Sequence, residues 1–288
     1  MKFSWSVFCY FSLFLYASTA KAETLKNGRS YTPSLAAPQG DTMALSGGGT
    51  ANVSDLSAAS SNPAGLALFK EFASAGAMLW KNDNVLAVQA GAHDSAMSEV
   101  SAGFIYQMTT VASGGKDKRY TLGLAEKVAD SALTLGIGGD YSQLEAPKTP
   151  GFSDKKVDVF RLRAGAIYAI AENIAVGVRT EGYLDSMRDK EHAAGIAIGI
   201  AQYYLFNADV VFRNTELKRY LAGMTLSVKQ FLDLRASYGY ELKASHHLGA
   251  AGISIKSQQF RLFYMLAKPD LRDISFDQSV GASLAVAL

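Results

Sequence analysis

From residue 71 to residue 288 the chain is built of short segments in which apolar side chains alternate with small or polar ones. Many of them carry a tyrosine or tryptophan near one end. Alternation of period two marks a strand with one apolar face. About fourteen such segments can be counted, from 72–80 through 192–205 and 207–214 to 278–288. An even number of strands, each near ten residues long, is how a bacterial transmembrane barrel reads in sequence. The longest apolar run in this part, 193–201, is far short of the ~20 residues that a membrane-spanning helix needs. The expected fold is therefore all-β: a transmembrane antiparallel β-barrel of about fourteen strands with an N-terminal plug or hatch. A soluble β-sandwich would share the alternation, but it would need a second layer to cover an apolar face on nearly every strand.

The first 22 residues stand apart. Lys2 supplies a positive start, residues 3–16 are apolar and aromatic, and Ala20-Lys21-Ala22 fits the small-x-small cleavage rule. Residues 1–22 are expected to be a signal peptide, with Glu23 as the mature N-terminus and the bacterial outer membrane as the destination. Cys9, the only cysteine, lies inside that segment, so a disulfide framework and a thiol nucleophile are both excluded. The whole chain has 28 basic and 26 acidic residues, and the leader holds Lys2 and Lys21 but no acid, which leaves 26 against 26. A neutral chain offers no electrostatic footprint for nucleic acid.

Residues 23–70 differ from the alternating part. They are small, polar and turn-rich, with Pro33, Pro38, Gly40, Gly47, Gly48, Gly49, Pro63 and Gly65, and they show no sustained period. We read 23–70 as a plug with little regular structure beyond a short helix around 55–60, and 71–288 as the barrel. Counting from an N-terminus in the periplasm, odd-numbered connections lie outside the cell. The long ones are the third (109–118), fifth (145–155), seventh (185–191) and thirteenth (269–277). The even-numbered ones are mostly short, as periplasmic turns are, but the first, ninth and eleventh are short too, so the outer face is expected to be modest.

Faces can be assigned. In the tenth segment Tyr220, Ala222, Met224, Leu226 and Val228 oppose Arg219, Gly223, Thr225 and Ser227, with Leu221 as an exception. In the eleventh, Leu232, Leu234, Ala236, Tyr238 and Tyr240 oppose Asp233, Arg235, Ser237, Gly239 and Glu241. In the eighth, Ile196, Ile198 and Ile200 oppose Gly195, Ala197, Gly199 and Ala201. An arginine facing lipid at mid-bilayer costs about 2–4 kcal/mol, so the polar face points inward. That rule sends Arg161, Arg163, Arg179, Asp209, Asp233, Arg235 and Arg261 to the lumen, with Glu181 and Arg213. They could bind an acyl carboxylate or a polar solute. Pairing with one another to pin the plug is the favoured role, because intramembrane charges usually pair. Tyr183, Tyr203, Tyr204, Tyr220, Tyr238 and Tyr240 sit near strand ends, where their rings would straddle the interface with outer-membrane lipid.

The segment Ser60-Ser61-Asn62-Pro63-Ala64-Gly65-Leu66-Ala67 follows a Gly47-Gly48-Gly49-Thr50-Ala51-Asn52-Val53-Ser54-Asp55 stretch and immediately precedes the strands. Asn62 can close a turn with its side chain, Pro63 fixes φ and removes a donor, and Ala64 and Gly65 permit close approach to a wall. This block resembles the hatch of the long-chain fatty-acid transporter family of outer membranes, the FadL type. It is similar also to that of PorV-like barrels of a bacterial secretion system. The likeness covers roughly residues 44–77. It implies a fourteen-stranded barrel with Asn62, Pro63, Ala64 and Gly65 in the hatch, and a fatty acid, a hydrophobic small molecule or a detergent-like compound as ligand.

Catalysis finds no support. His93, His192, His246 and His247 lie near strand ends or loops, without metal-ligand spacing, and no G-x-S-x-G elbow occurs. A lipase pair would have to be made from His246 or His247 and a neighbouring serine. The glycine run at 47–49 lacks the Lys-Ser/Thr of a phosphate loop. We expect no catalytic residue, metal or cofactor. The expected function is passive uptake of small hydrophobic or amphipathic solutes, gated by the plug. The alternative is a PorV-like scaffold that binds exported proteins or partner barrels without transport, which the short outer connections favour.

Overall fold

The computed structural model describes residues 49–52, 56–68, 72–81, 85–95, 99–111, 115–129, 131–145, 156–183, 190–201, 203–228, 231–243, 245–257, 260–268 and 277–287. The expected signal peptide and the stretch 23–48 lie outside the described residues. Fourteen antiparallel strands form one closed barrel. They are β1 (Phe72–Lys81), β2 (Val85–Asp94), β3 (Val100–Val111), β4 (Lys116–Lys127), β5 (Leu133–Glu145), β6 (Lys156–Ala171) and β7 (Ile174–Tyr183). Then come β8 (Glu191–Ile200), β9 (Tyr204–Arg213), β10 (Glu216–Val228), β11 (Leu232–Glu241), β12 (His246–Lys256), β13 (Phe260–Lys268) and β14 (Asp277–Ala287). Each strand pairs with its sequence neighbours. The ring closes through β1 and β14, in register from Phe72 opposite Ala287 to Lys81 opposite Gln278. Closure satisfies every ladder and leaves no edge, the condition for a sheet to cross lipid.

Alternation dictates the two surfaces. On β4 the residues Asp117, Arg119, Thr121, Gly123 and Ala125 are buried on the inner side, while Tyr120 points out. Around the ring the outer side carries Leu86, Val88, Phe104, Leu135, Val178, Ile196, Phe206, Leu234, Ile253, Leu262 and Val280, all exposed. A soluble protein does not expose a continuous apolar belt of this size. Its rims are aromatic. Tyr106, Tyr120, Tyr141 and Phe160 stand opposite one another across β3–β6, with the first three rings 5.2 and 6.2 Å apart. On β6, Tyr168 lies eight residues beyond Phe160, about 27 Å along a strand. At a tilt of about 40° that is about 20 Å of height, close to the apolar band of such barrels.

Two connections, the third and the eighth, differ from the sequence expectation. The third connection is not long: β3 runs to Val111 and β4 starts at Lys116, so only 112–115 intervene. Cross-strand pairs such as Thr109 with Asp117 extend the hairpin there. The long connections that remain, 146–155, 184–190 and 269–276, all leave the same end of the barrel. The eighth strand ends at Ile200 rather than near Leu205. Ala201 has φ 52 and Tyr203 N donates to Ile200 O at 3.3 Å, so a turn interrupts the apolar run. Ala201 is therefore exposed in that turn and is not an inward residue of β8. Tyr204, Leu205 and Phe206 open β9.

Candidate functional site: the lumenal segment and the charged layer above it

Two short 3₁₀ turns, Leu56–Ala59 and Pro63–Ala67, pack against the inner face of the barrel, mainly on β3–β6. Asn62 caps the second: its Oδ1 accepts from Ala64 N at 3.3 Å, and Pro63 occupies the first position, where a missing N–H costs nothing. The Asn62 Nδ2 donates to Thr50 O at 2.6 Å and to Val178 O of β7 at 3.5 Å. One side chain thus joins the 3₁₀ turn, the 49–52 turn and the wall. Asn62, Pro63, Ala64 and Gly65 are all buried. Leu66, Ala58, Ala59 and Ala67 form an apolar cluster with Ile105 of β3 and Ala125 of β4.

The wall makes room with glycine. A Cβ at Gly165 would lie 1.9 Å from Asn62 Oδ1, one at Gly136 2.2 Å from Ala64 N, and one at Gly177 2.4 Å from Thr50 O. At Gly103 and Gly123 it would lie 2.9 Å from the Leu66 methyls. Real Cβ atoms do not sit this close, so the segment's backbone occupies the volume that wall side chains would otherwise fill. The absence of wall side chains, more than Gly65 of the motif, allows the close approach anticipated from sequence.

Towards the end with the long connections lies a charged layer. Arg163 of β6 meets Asp140 of β5 with two hydrogen bonds, 3.2 and 2.6 Å, and also donates to Ala59 O at 3.1 Å and to Glu181 of β7 at 3.4 Å. Thr121 donates to Asp140 at 2.6 Å. Arg161 and Arg179 approach Glu181 at 3.6 and 3.8 Å. Glu191, at the start of β8, takes Arg179 at 3.2 Å, Lys218 at 3.1 Å and Arg219 at 3.4 Å. Lys218 and Arg219 are sequence neighbours that strict alternation would send to opposite faces. A bulge between Leu217 and Arg219 turns both toward Glu191, the re-aiming that bulges provide. Five cations thus share three carboxylates, Asp140, Glu181 and Glu191. Side-chain exposures fall from 27 % at Lys218 to 3 % at Arg163, so one face of the layer meets the lumen and the other is sealed against the segment.

The remaining sequence candidates sit elsewhere. Asp209 of β9 accepts from Thr50 N at 2.8 Å and Thr50 Oγ1 at 2.9 Å. Asp233 of β11 accepts from Ser227 at 2.8 Å and pairs with Arg235 at 3.7 Å, away from the layer. Arg261 belongs to β13, opposite Lys256, but its side chain lies outside the description. Arg213 shares the inward parity of β9 yet is exposed at its end. His247 faces outward with Tyr238 Oη 2.5 Å from Nδ1 and the Tyr240 ring beside it. Sequence reasoning missed Asp117, Arg119, Asp140, Glu191, Lys218 and Thr50. Asp140 was within reach, since Gly136, Gly138 and Asp140 share a parity on β5. Thr50 lies in a segment without period and gave no signal. Among the described residues no cluster of histidine, cysteine and acidic groups could hold a metal ion.

Three solved structures share this architecture. The Pseudomonas putida toluene transporter TodX superposes with a TM-score of 0.63 at 10% identity, covering 86% of this chain and 97% of that one. The Ralstonia pickettii toluene transporter TbuX gives 0.61 at 12% identity, with 85% and 96% covered. The CymD monoaromatic hydrocarbon channel gives 0.57 at 10% identity, with 85% and 95% covered. At such identities the likeness is one of fold. No protein-family profile and no curated protein sequence matches the chain.

Proposed function

We propose that this chain is an outer-membrane barrel for passive uptake of small hydrophobic or amphipathic solutes, in which residues 23–70 form a plug that gates the path. The observation that carries the reading is a closed barrel, apolar outside, whose inner face is notched with glycine to seat a segment bearing Asn62-Pro63-Ala64-Gly65. Its fold likeness to toluene transporters and a monoaromatic hydrocarbon channel supports an apolar or amphipathic cargo. Delivery to the outer membrane would follow cleavage after Ala22.

The test uses cells that produce the protein and planar bilayers that contain it. Production should speed influx of a small fluorescent apolar probe across the outer membrane. The intact barrel should conduct ions poorly, and deletion of residues 23–61 should open it, because every strand lies beyond the deletion. Unchanged influx, together with identical conductance of the intact and shortened barrels, would sink the reading.

A further inference from the structure

The lumenal segment is held to the wall at two polar anchors of unlike construction. At the first, Arg163 donates to Ala59 O, and its guanidinium is itself fixed by Asp140 and Glu181. At the second, the 49–52 turn hangs on one buried carboxylate. Asp209 Oδ2 accepts both Thr50 N and Thr50 Oγ1, whereas Oδ1 is buried without a hydrogen-bond partner. That turn closes with Asn52 N donating to Gly49 O at 3.0 Å, and Gly49 takes φ 92, a left-handed conformation that suits glycine. It also presses on bare wall: a Cβ at Gly195 would lie 2.0 Å from Asp209 Oδ1 and 3.1 Å from Thr50 Cβ. The carboxylate therefore stands in a notch cut for it, aimed at the turn.

We infer that Asp209 is the latch of the plug, and that the turn at Thr50 is where the plug lets go of the wall. The inference rests on the gating reading of the proposed function. One carboxylate supplies both of these bonds to Thr50, so its loss removes them together, whereas Arg163 keeps its own bond to Ala59. Asn62 Nδ2 donates to Thr50 O, so release at Thr50 withdraws a partner from the hatch motif as well. The opening thus propagates from the turn to the Asn-Pro-Ala-Gly segment, while Arg163 keeps Ala59 tethered. Asp209 acts as a positioning residue: it touches the plug and no solute.

The experiment places a reporter cysteine at Ala51, which is buried beside Thr50, in a Cys9→Ser background of the full-length protein. Labelling by a water-soluble maleimide is followed alongside conductance and heat-resistant gel mobility. Asp209→Ala should speed labelling at least about tenfold, as loss of a charged hydrogen-bond acceptor implies, and should raise conductance. Thr50→Val, which keeps the N–H donor, should give an intermediate rate. Asp140→Asn, which loosens the other anchor, should change the rate at Ala51Cys by less than about twofold, because well-separated sites act independently. Equal acceleration by Asp140→Asn would reduce the latch to general loosening and overturn it. An assembled Asp209→Ala barrel that labels at the wild-type rate would overturn it too. Should that variant fail to assemble, a wild-type rate in Thr50→Val does the same. Faster labelling without a change in conductance would uphold the latch and remove the gating reading.

Discussion

Glycine is spent in two ways on the two sides of this barrel. On β3–β7 the notches at Gly103, Gly123, Gly136, Gly165 and Gly177 are filled by Thr50, Ala59, Asn62, Ala64 and Leu66 of the lumenal segment. On β11 and β12 they are filled by the wall itself. A Cβ at Gly239 would meet Leu221 Cδ2 at 2.7 Å, and one at Gly252 would meet Met265 Sδ at 1.9 Å. Leu221, the apolar residue that broke the inward pattern of β10, covers Gly239 and joins Ala193, Val211 and Leu248 in a second apolar cluster. The first side is shaped to a guest, and the second packs against its own neighbours. Charge does not follow this division: the layer built on Asp140, Glu181 and Glu191 runs from β5 to β10, and Asp233 pairs with Arg235 on β11.

The sharpest way to break this comparison is to remove the joint between layer and guest. Arg163→Leu leaves the Asp140 carboxylate buried beside the Thr121 hydroxyl, and Ala59 O without the guanidinium. Loss of one partner of a buried pair costs about 3–5 kcal/mol. Urea unfolding in lipid vesicles should show a loss of that order. Pairing the change with Asp140→Asn should recover part of it, because the stranded charge is then gone. A single variant as stable as the wild type would show that the layer is solvated and not tied to the segment.

Outer faces should not share the division. Val178→Arg on β7 and Leu234→Arg on β11 each put a cation on the apolar belt, one on the guest's side and one opposite. Both should lose about 2–4 kcal/mol and assemble poorly, scored by heat-resistant gel mobility. If one is tolerated, its strand does not face lipid there. Reversal of Leu234 and Arg235 is equally diagnostic, because a one-residue slip exchanges every side chain between faces.

Period two made much of this legible. The outward rows, the inward charges of β6, β7 and β11, and the closed architecture all stem from alternation plus the cost of polar groups in lipid. What alternation could not carry was anything that breaks period. The bulge that sends Lys218 and Arg219 to one carboxylate is invisible, because it changes pairing and not composition. The turn at Ala201 hides inside an apolar run, since a left-handed alanine leaves no mark in the sequence. Thr50 has no period to belong to, so its bond to Asp209, 159 positions along the chain, had no local signature. The glycines of β3–β7 were visible as small inward residues, but only the fold reveals what fills them.

Gly165→Val should therefore act on the guest more than on the barrel. Its branched side chain would enter the space of the Asn62 side chain, and overpacking of this kind costs about 1–3 kcal/mol. We expect an assembled barrel whose 56–67 segment exchanges amide hydrogens faster, with β11 and β12 unchanged. Wild-type protection of 56–67 would mean that Asn62 is not held against β6.

The smallest effect is expected across the lumen. At Gly252 the nearest atoms to an added methyl are Met265 Sδ and Cε, at 1.9 and 3.1 Å, with Tyr264 O at 3.1 Å. The first two belong to an unbranched side chain with three rotatable bonds, which can swing away, whereas the carbonyl must give by a few tenths of an ångström. Gly252→Ala should cost no more than about 1 kcal/mol, below the usual range for overpacking because the obstacle is flexible. It should leave amide exchange of 56–67 at the wild-type rate. The same methyl at Gly136 would strike Ala64 N and Pro63 C, backbone atoms at 2.2 and 2.4 Å that cannot swing aside. Gly136→Ala should accordingly accelerate exchange of 56–67 while Gly252→Ala does not. If the two alanines prove interchangeable by that measure, the guest and the wall fill their notches alike, and the distinction between the two sides of the barrel fails.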